Sequence, residues 1–116
     1  MITTHVLDTA TGRPARGVPV ELERQAESVF GGSTSWDPVG TGVTDGDGRN
    51  RELTPAGALE PGLYRLRFHT GEYFKANRIA GFFPVVEITF QIDDGAQHYH
   101  VPLLLSPYGY STYRGS

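Results

Sequence analysis

Two histidines stand one residue apart in "HYHVP", near the end of the chain, and a third lies in "THVLD" near its start. In a β-strand, residues two apart point to the same face, so His98 and His100 share one face, and His5 shares a face with Leu7. If both strands belong to the same sheet, His5 and His100 meet on its outward face. Histidine titrates at roughly pH 6.5, which makes it the natural proton carrier near neutral pH. The pattern predicts an acid–base site, with His98 solvated at the start of its strand.

Two other interpretations of these histidines stay open. A single strand histidine is more often an ordinary surface residue, and we interpret His69, at another strand end, in this way. Three histidines are also a possible zinc ligand set. The sequence gives no carboxylate that would orient them and no cysteine, so we expect neither a metal nor a cofactor.

The stretch "DGDGR" resembles the start of a calcium loop, but the match fails. An EF-hand loop that began at Asp45 would need an acidic or amide side chain at its fifth position and a glutamate at its twelfth. These positions hold Arg49 and Ala56. On its own the stretch predicts a hairpin turn with an exposed arginine, whose planar fork suits an imide or carboxylate-like edge.

The elements that must position these residues are strands, because the dominant period along the chain is two. Alternation predicts four inward-facing sets: Val18, Val20 and Leu22; Tyr64, Leu66 and Phe68; Val86, Ile88, Phe90 and Ile92; Tyr99, Val101, Leu103 and Leu105. Turn residues bound each run, and the chain has fifteen glycines. Short alternating strands of this kind predict an antiparallel β-sandwich.

Two segments break this rhythm. "TGEYFKAN" predicts one short helix, with Thr70 as its N-cap and Asn77 closing it. Residues 24–40, small and polar around Trp36, predict a long loop.

Length and charge limit the class of protein. The 116 residues predict a single domain, residues 1–116, able to bury roughly two-thirds of its unfolded surface. A net charge of −3 with scattered arginines argues against nucleic acid as a partner. No run approaches the ~20 apolar residues of a membrane span, and the start shows no signal pattern. We therefore expect a complete cytoplasmic product with no membrane partner.

The face that carries the histidines is apolar in its middle. Leu7, Pro102 and Leu104 share it, and the polar residues His5, His100, Ser106, Ser111 and Tyr113 surround them. This arrangement predicts a subunit interface that encloses a small cavity, although a solvated face with scattered apolar residues remains an alternative. Pro102 is a difficulty, since proline removes a ladder hydrogen bond. Across the last turn, Tyr110 and Thr112 are expected to face inward.

The assembled residues resemble the transthyretin-like family, on the branch of the 5-hydroxyisourate hydrolases. Four stretches carry the resemblance: "THVLDTATGRPARGVPVEL", "TDGDGR", "FFPVVEITF" and "HYHVPLLLSPYGYSTYRGS". It implies an all-β fold, an eight-stranded, two-sheet antiparallel sandwich with one short helix. It also implies a homotetramer, a dimer of dimers around a central channel, whose subunits hold the tail in place.

Residue by residue, the resemblance places the channel histidines at His5 and His100 and the channel arginine at Arg49. The tail motif falls on Tyr113 through Ser116. Transthyretins carry lysine, glutamate and threonine at the first three of these places, and threonine where Tyr113 stands. The resemblance implies catalytic roles for His5, Arg49, His100 and Tyr113. It implies substrate contacts for His5, Arg49, Tyr113, Arg114 and Ser116.

The activity implied is cofactor-independent hydrolysis of 5-hydroxyisourate to 2-oxo-4-hydroxy-4-carboxy-5-ureidoimidazoline in urate degradation. The small-molecule substrate is a planar, acidic urate oxidation product, and its ring opens when water attacks a ring carbonyl. One alternative is a small-ligand carrier of the transthyretin type that uses the same channel. A second is a structural sandwich that only binds other proteins.

Overall fold

The computed structural model describes residues 1–26 and 34–116, and in these ranges it contains nine strands and one helix. The elements are β1 (Ile2–Asp8), β2 (Arg13–Pro14), β3 (Pro19–Gln25), β4 (Trp36–Val43), β5 (Arg49–Asn50), β6 (Gly62–Phe68), α1 (Thr70–Ala76), β7 (Val86–Ile92), β8 (Tyr99–Ser106) and β9 (Gly109–Thr112). Two of the strands, β2 and β5, are only two residues long.

The strands form two sheets, which confirms the predicted sandwich with one short helix. The first sheet has the order β2–β1–β8–β9, with β5 also paired to β1, and the second has the order β4–β3–β6–β7. In the described residues the structure has nine strands where the resemblance implies eight, and two of the nine, β2 and β5, are short partners of β1. The sheets are also not wholly antiparallel, since β1 and β8 pair in parallel from Ile2 opposite Tyr99 to Asp8 opposite Leu105.

The core lies between the sheets and follows the predicted alternation. Most of the inward-facing side chains predicted for β3, β6, β7 and β8 are buried. Ile88 and Phe90 are only half-buried, because β7 is the edge strand of its sheet. Burial of each fully enclosed aliphatic side chain stabilises the fold by about 1.5–3 kcal/mol, and this fixes which face of each strand points outward.

Helix α1 follows β6 and packs against β3, and its Tyr73 hydroxyl donates to Asp8 Oδ2 at the end of β1, at 2.8 Å. His69 is the N-cap, and Thr70 is the first helical residue, so the predicted Thr70 cap is wrong. The Thr70 hydroxyl donates instead to the Phe83 carbonyl at 2.6 Å. Asn77 closes the helix as predicted.

No helix within the described ranges is long and apolar enough to cross a membrane.

The predicted loop over residues 24–40 is wrong at both ends. Arg24 and Gln25 belong to β3, and residues 36–40 belong to β4, while residues 27–33 lie outside the described part. Trp36 pairs with Gln25, and the Arg65 guanidinium lies 4.3 Å from the centre of its ring. Pairing and cation–π stacking hold this tryptophan in a strand, although its neighbours are small and polar.

Candidate active site

The parallel pairing of β1 with β8 brings the predicted histidines together. Thr3 lies opposite His100, and His5 lies opposite Pro102 two residues further along. Because Ile2, Thr4 and Val6 face the core, the alternate residues of β1 point outward. His5 and His100 therefore share the outward face of one sheet, as the sequence predicts.

Arg49 reaches the same region through the turn that precedes β5. The Asp45 carboxylate accepts hydrogen bonds from the backbone N–H groups of Asp47, at 2.9 Å, and Arg49, at 3.0 Å. The N–H of Arg49 is the main cause of the lowered pKa of Asp45. Gly48 has a φ of 76°, a left-handed conformation that favours glycine. This turn leads directly into β5, where Arg49 pairs with His5.

A cavity of about 350 Å³ opens on this face. Its lining residues are Met1, Thr3, Thr4, Arg49, Arg51, His98, His100 and Ser116. The cavity is rich in positive charge and hydrogen-bond donors, an environment suited to a planar anion.

Sequence reasoning missed four members of this set, Met1, Thr3, Thr4 and Arg51, and placed His98 outside the site. The hydroxyl oxygen of Thr3 lies 2.8 Å from His98 Nε2 and 2.8 Å from His100 Nδ1. His98 is exposed, as expected, but it belongs to the cavity wall. The available signal was spacing along the strand: Thr3 is two residues from His5, Arg51 two from Arg49, and His98 two from His100. Residues two apart in a strand point to the same face.

The two site histidines favour their neutral forms. The pKa of His100 is lowered from its ordinary value, first by burial and then by the positive charge of Arg49. The pKa of His5 is lowered by the same two causes in the same order, while the backbone of Asp47 acts in the opposite direction. A neutral imidazole has a free lone pair, so both residues can accept a proton near neutral pH.

The tail returns to this face beside His100. The Gly115 N–H donates to the His100 carbonyl at 2.8 Å, and the two residues form an isolated bridge. A Cβ at position 115 would lie 2.5 Å from His100 Cδ2, so only glycine fits without a shift. The contact places Ser116 on the cavity wall.

The structure does not bring Tyr113 or Arg114 to this cavity, and His5, although it shares the sheet face, is not among the lining residues. Tyr113 is 57% exposed and lines a separate cavity of about 250 Å³ with Ile88, Phe90 and Val101. The Arg114 guanidinium stacks over Tyr99 at 4.5 Å and donates to Gln97 Oε1 at 3.1 Å. The tail leaves the strand path after Thr112, so the alternation that predicts an outward Tyr113 does not extend to it.

Strand β9 is also more open than predicted. Tyr110 and Thr112 lie opposite the core residues Leu105 and Leu103, as expected for inward positions. Both side chains are nevertheless exposed to solvent, and Tyr110 is 43% exposed. The reason is that β9 ends the sheet order and has a partner on one side only.

Pro102 is tolerated because it lies where the ladder is already interrupted. The last regular pair of β8 and β9 is Leu103 with Thr112, and the next contact is the bridge of His100 with Gly115. The Thr112 hydroxyl donates to the Pro102 carbonyl at 2.7 Å. A proline in this gap leaves no ladder position without its hydrogen bond.

The remaining histidine lies elsewhere. His69 Nε2 is 2.6 Å from Glu21 Oε1 on the second sheet, which agrees with its interpretation as a residue outside the site. Among the described residues, no group of three His, Asp or Glu side chains is arranged to hold a metal ion.

Comparisons with known proteins agree with this architecture. The model of the HIUase/Transthyretin family matches residues 2–115. A 5-hydroxyisourate hydrolase of Salmonella dublin is 47% identical over 116 residues, which is 100% of this chain and 81% of that protein. The solved 5-hydroxyisourate hydrolase of Klebsiella pneumoniae has a TM-score of 0.80 at 36% identity, covering 99% of this chain and 98% of that one. Sea bream transthyretin, solved in complex with thyroxine, has a TM-score of 0.85 at 31% identity, covering 98% and 93%.

Proposed function

The chain belongs to the HIUase/transthyretin family, and from this we propose that it hydrolyses 5-hydroxyisourate in urate degradation. The observation that supports the proposal best is the position of Arg49 opposite His5, on the sheet face that also carries His100. An arginine fork beside two neutral imidazoles combines an anchor for an acidic substrate with a base for water.

The reaction needs no group beyond these side chains and a water molecule. A neutral imidazole takes a proton from water while the water oxygen bonds to the ring carbonyl carbon. The carbonyl oxygen gains negative charge, which Arg49 and neighbouring donors stabilise. The bond from that carbon to the ring nitrogen then breaks, and the nitrogen receives the proton from the imidazolium. The product is an open ring with a new carboxylate.

A second part of the proposal is assembly into a homotetramer, a dimer of dimers. The half-buried Leu7 and Leu104 lie opposite each other on the site face, next to the buried Pro102. Burial of this apolar strip against another subunit would close the cavity to water. Tyr113 and Arg114, which lie away from the cavity within one chain, are proposed to contact the substrate only in the assembly. Cytoplasmic location stays a prediction.

The test is the ultraviolet decay of freshly made 5-hydroxyisourate with purified protein. We expect acceleration by the wild type, and a loss of about 10²-fold or more in each of His5→Ala, Arg49→Ala and His100→Ala, the scale of lost acid–base or electrostatic assistance. His69→Ala is the matched control, because it removes a histidine that contacts Glu21 of the other sheet. Wild-type turnover in a site variant would remove that residue from the mechanism.

A carrier remains the second candidate because of the likeness to a transthyretin solved with thyroxine. The histidines and arginines of the cavity favour hydrolysis over transport of such a ligand. Thyroxine binding without any acceleration of 5-hydroxyisourate decay would reverse this order. Neither binding nor acceleration would favour the structural module.

A further inference from the structure

The Thr3 hydroxyl joins two histidine rings that differ in their access to water. Thr3 Oγ1 is 2.8 Å from His98 Nε2 and 2.8 Å from His100 Nδ1. Thr3 is only 5% exposed, His100 is half-buried, and His98 is exposed. The parallel register of β1 and β8 places Thr3 directly opposite His100. The contact is therefore built into the sheet and continues from the site to the surface.

A hydroxyl has one proton, so Thr3 can donate to only one of the two rings. In the first arrangement, His100 Nδ1–H donates to Thr3 and Thr3 donates to His98 Nε2, which leaves a lone pair on His100 Nε2. In the second, both bonds are reversed and His100 Nε2 carries a proton. If both rings donated to Thr3, its own proton would have neither ring as an acceptor.

The charges around His100 favour the first arrangement. The groups that act on it are Arg49 and Arg51 from the β5 region, His5 from β1 and His98 from the start of its own strand. Thr3 occupies Nδ1, so Nε2 is the ring nitrogen left free in the cavity that Arg49 and Arg51 also line, and positive charge there favours a lone pair over an N–H. Among the described residues, Nε2 makes no hydrogen bond, so this lone pair is available to a ligand.

We propose that Thr3 is a positioning residue that holds His100 in its Nδ1–H tautomer and thereby makes His100 Nε2 the general base. This inference rests on the proposed hydrolysis and assigns one of the two candidate histidines as the base. His5 then takes part in substrate binding beside Arg49. The role of Thr3 is to select the tautomer, because an imidazole with its proton on Nε2 has no lone pair toward the substrate.

The same contact balances the proton transfers of the reaction. When His100 Nε2 takes a proton from water, its Nδ1 proton passes to Thr3 Oγ1, and the Thr3 proton passes to His98 Nε2. The positive charge then lies on the exposed His98 and not beside Arg49. Return of the protons along the same path lets His100 Nε2 protonate the departing ring nitrogen. One proton moves from water to product, and all three side chains return to their starting states.

The experiment compares Thr3→Val with Thr3→Ser. Thr3→Val keeps the shape and removes the hydroxyl, while Thr3→Ser restores it. Thr9→Val is the matched control, since the Thr9 hydroxyl also reaches from the end of β1 to β8, at 3.1 Å from the Leu105 carbonyl. Two quantities are measured: ring-nitrogen chemical shifts of 15N-labelled histidine without substrate, and kcat and KM for 5-hydroxyisourate against pH.

We expect the Nδ1–H tautomer of His100 in the wild type, Thr3→Ser and Thr9→Val, and a mixture of tautomers in Thr3→Val. The kcat of Thr3→Val should fall about 10- to 100-fold, the usual cost of losing the group that orients a functional histidine. KM should stay within about threefold, and Thr3→Ser should recover most of kcat. In the wild type, kcat should fall on the acid side as His100 becomes protonated.

Wild-type kcat or an unchanged tautomer in Thr3→Val would overturn the role of Thr3. If Thr3→Val does not fold, an Nε2–H tautomer of His100 in the wild type would overturn it equally. The spectra are recorded without substrate, so they separate the two proposals. A tautomer that depends on Thr3 in a protein inactive toward 5-hydroxyisourate would support the contact and overturn the function.

Discussion

The imidazoles of His5 and His100 combine burial with a shared arginine neighbour, and this combination has a consequence for stability. Both pKa values are lowered in the folded chain. As the pH falls below the ordinary value of about 6.5, the unfolded chain therefore binds protons before the folded chain does. The contribution of these residues to the free energy of unfolding is present above pH 6.5 and is lost as the pH falls toward their pKa values in the folded chain.

We expect the urea concentration at the unfolding midpoint to decrease when the pH is lowered from 7.5 to 5.5 at fixed protein concentration. The decrease should be larger in the wild type than in a His5→Asn/His100→Asn double variant. The comparison with the double variant separates these two histidines from every other titrating group. An equal change of the midpoint with pH in the two proteins would show that protonation of the site histidines does not destabilise the fold.

At the level of elements, the tail beyond β9 is held to β8 by the stacking of Arg114 over Tyr99 and by two contacts of Gly115 with His100. Gly115 bonds to the His100 backbone, and its Cα lies against the His100 ring. Thus the tail sets the position of the ring as well as the position of Ser116 on the cavity wall. A side chain at 115 must displace either the ring or the tail, and both changes disturb the site.

We expect Gly115→Ala to lose about tenfold or more of kcat/KM while its free energy of unfolding changes by less than about 1 kcal/mol, because no core residue is altered. Gly109→Ala is the control in the same hairpin, since a Cβ there would lie 3.7 Å from the Ser106 hydroxyl, an ordinary contact. Activity of Gly115→Ala equal to that of Gly109→Ala would show that the close contact does not position His100.

For the whole molecule, the outward face of the first sheet poses the main question. It carries the site and an apolar strip formed by Leu7, Pro102 and Leu104. Apolar groups beside a polar cavity gain most when a second copy covers them and excludes water. Assembly and catalysis are therefore expected to depend on the same surface.

We expect light scattering to give the mass of four chains for the wild type and for Leu104→Met, which keeps an apolar side chain of similar volume. Leu104→Glu should shift the mass toward smaller species and lower the activity, because it places a charge in the strip. A fully active wild-type monomer, or a Leu104→Glu tetramer with full activity, would contradict the proposed interface.

Local rules explain why much of this molecule could be predicted. Side chains alternate along any strand, so the inward sets and the outward parity of His5 and His100 follow from covalent geometry alone. The turn before Arg49 follows from the aspartates and glycines of its own stretch. The short helix and its end at Asn77 are equally local. The sequence by itself therefore determined the sandwich and the candidate histidines and arginine.

Other features depend on contacts between residues far apart in the chain. Only the pairing of β1 with β8 decides that Thr3 meets both His98 and His100. The stacking of Arg65 on Trp36 extends β4 into a stretch whose composition predicts a loop. The end of β9 at Thr112 turns Tyr113 away from the face that alternation assigns to it. Alternation is a property of a single strand, whereas register, strand ends and close approaches are set by packing, so only the tertiary structure decided them.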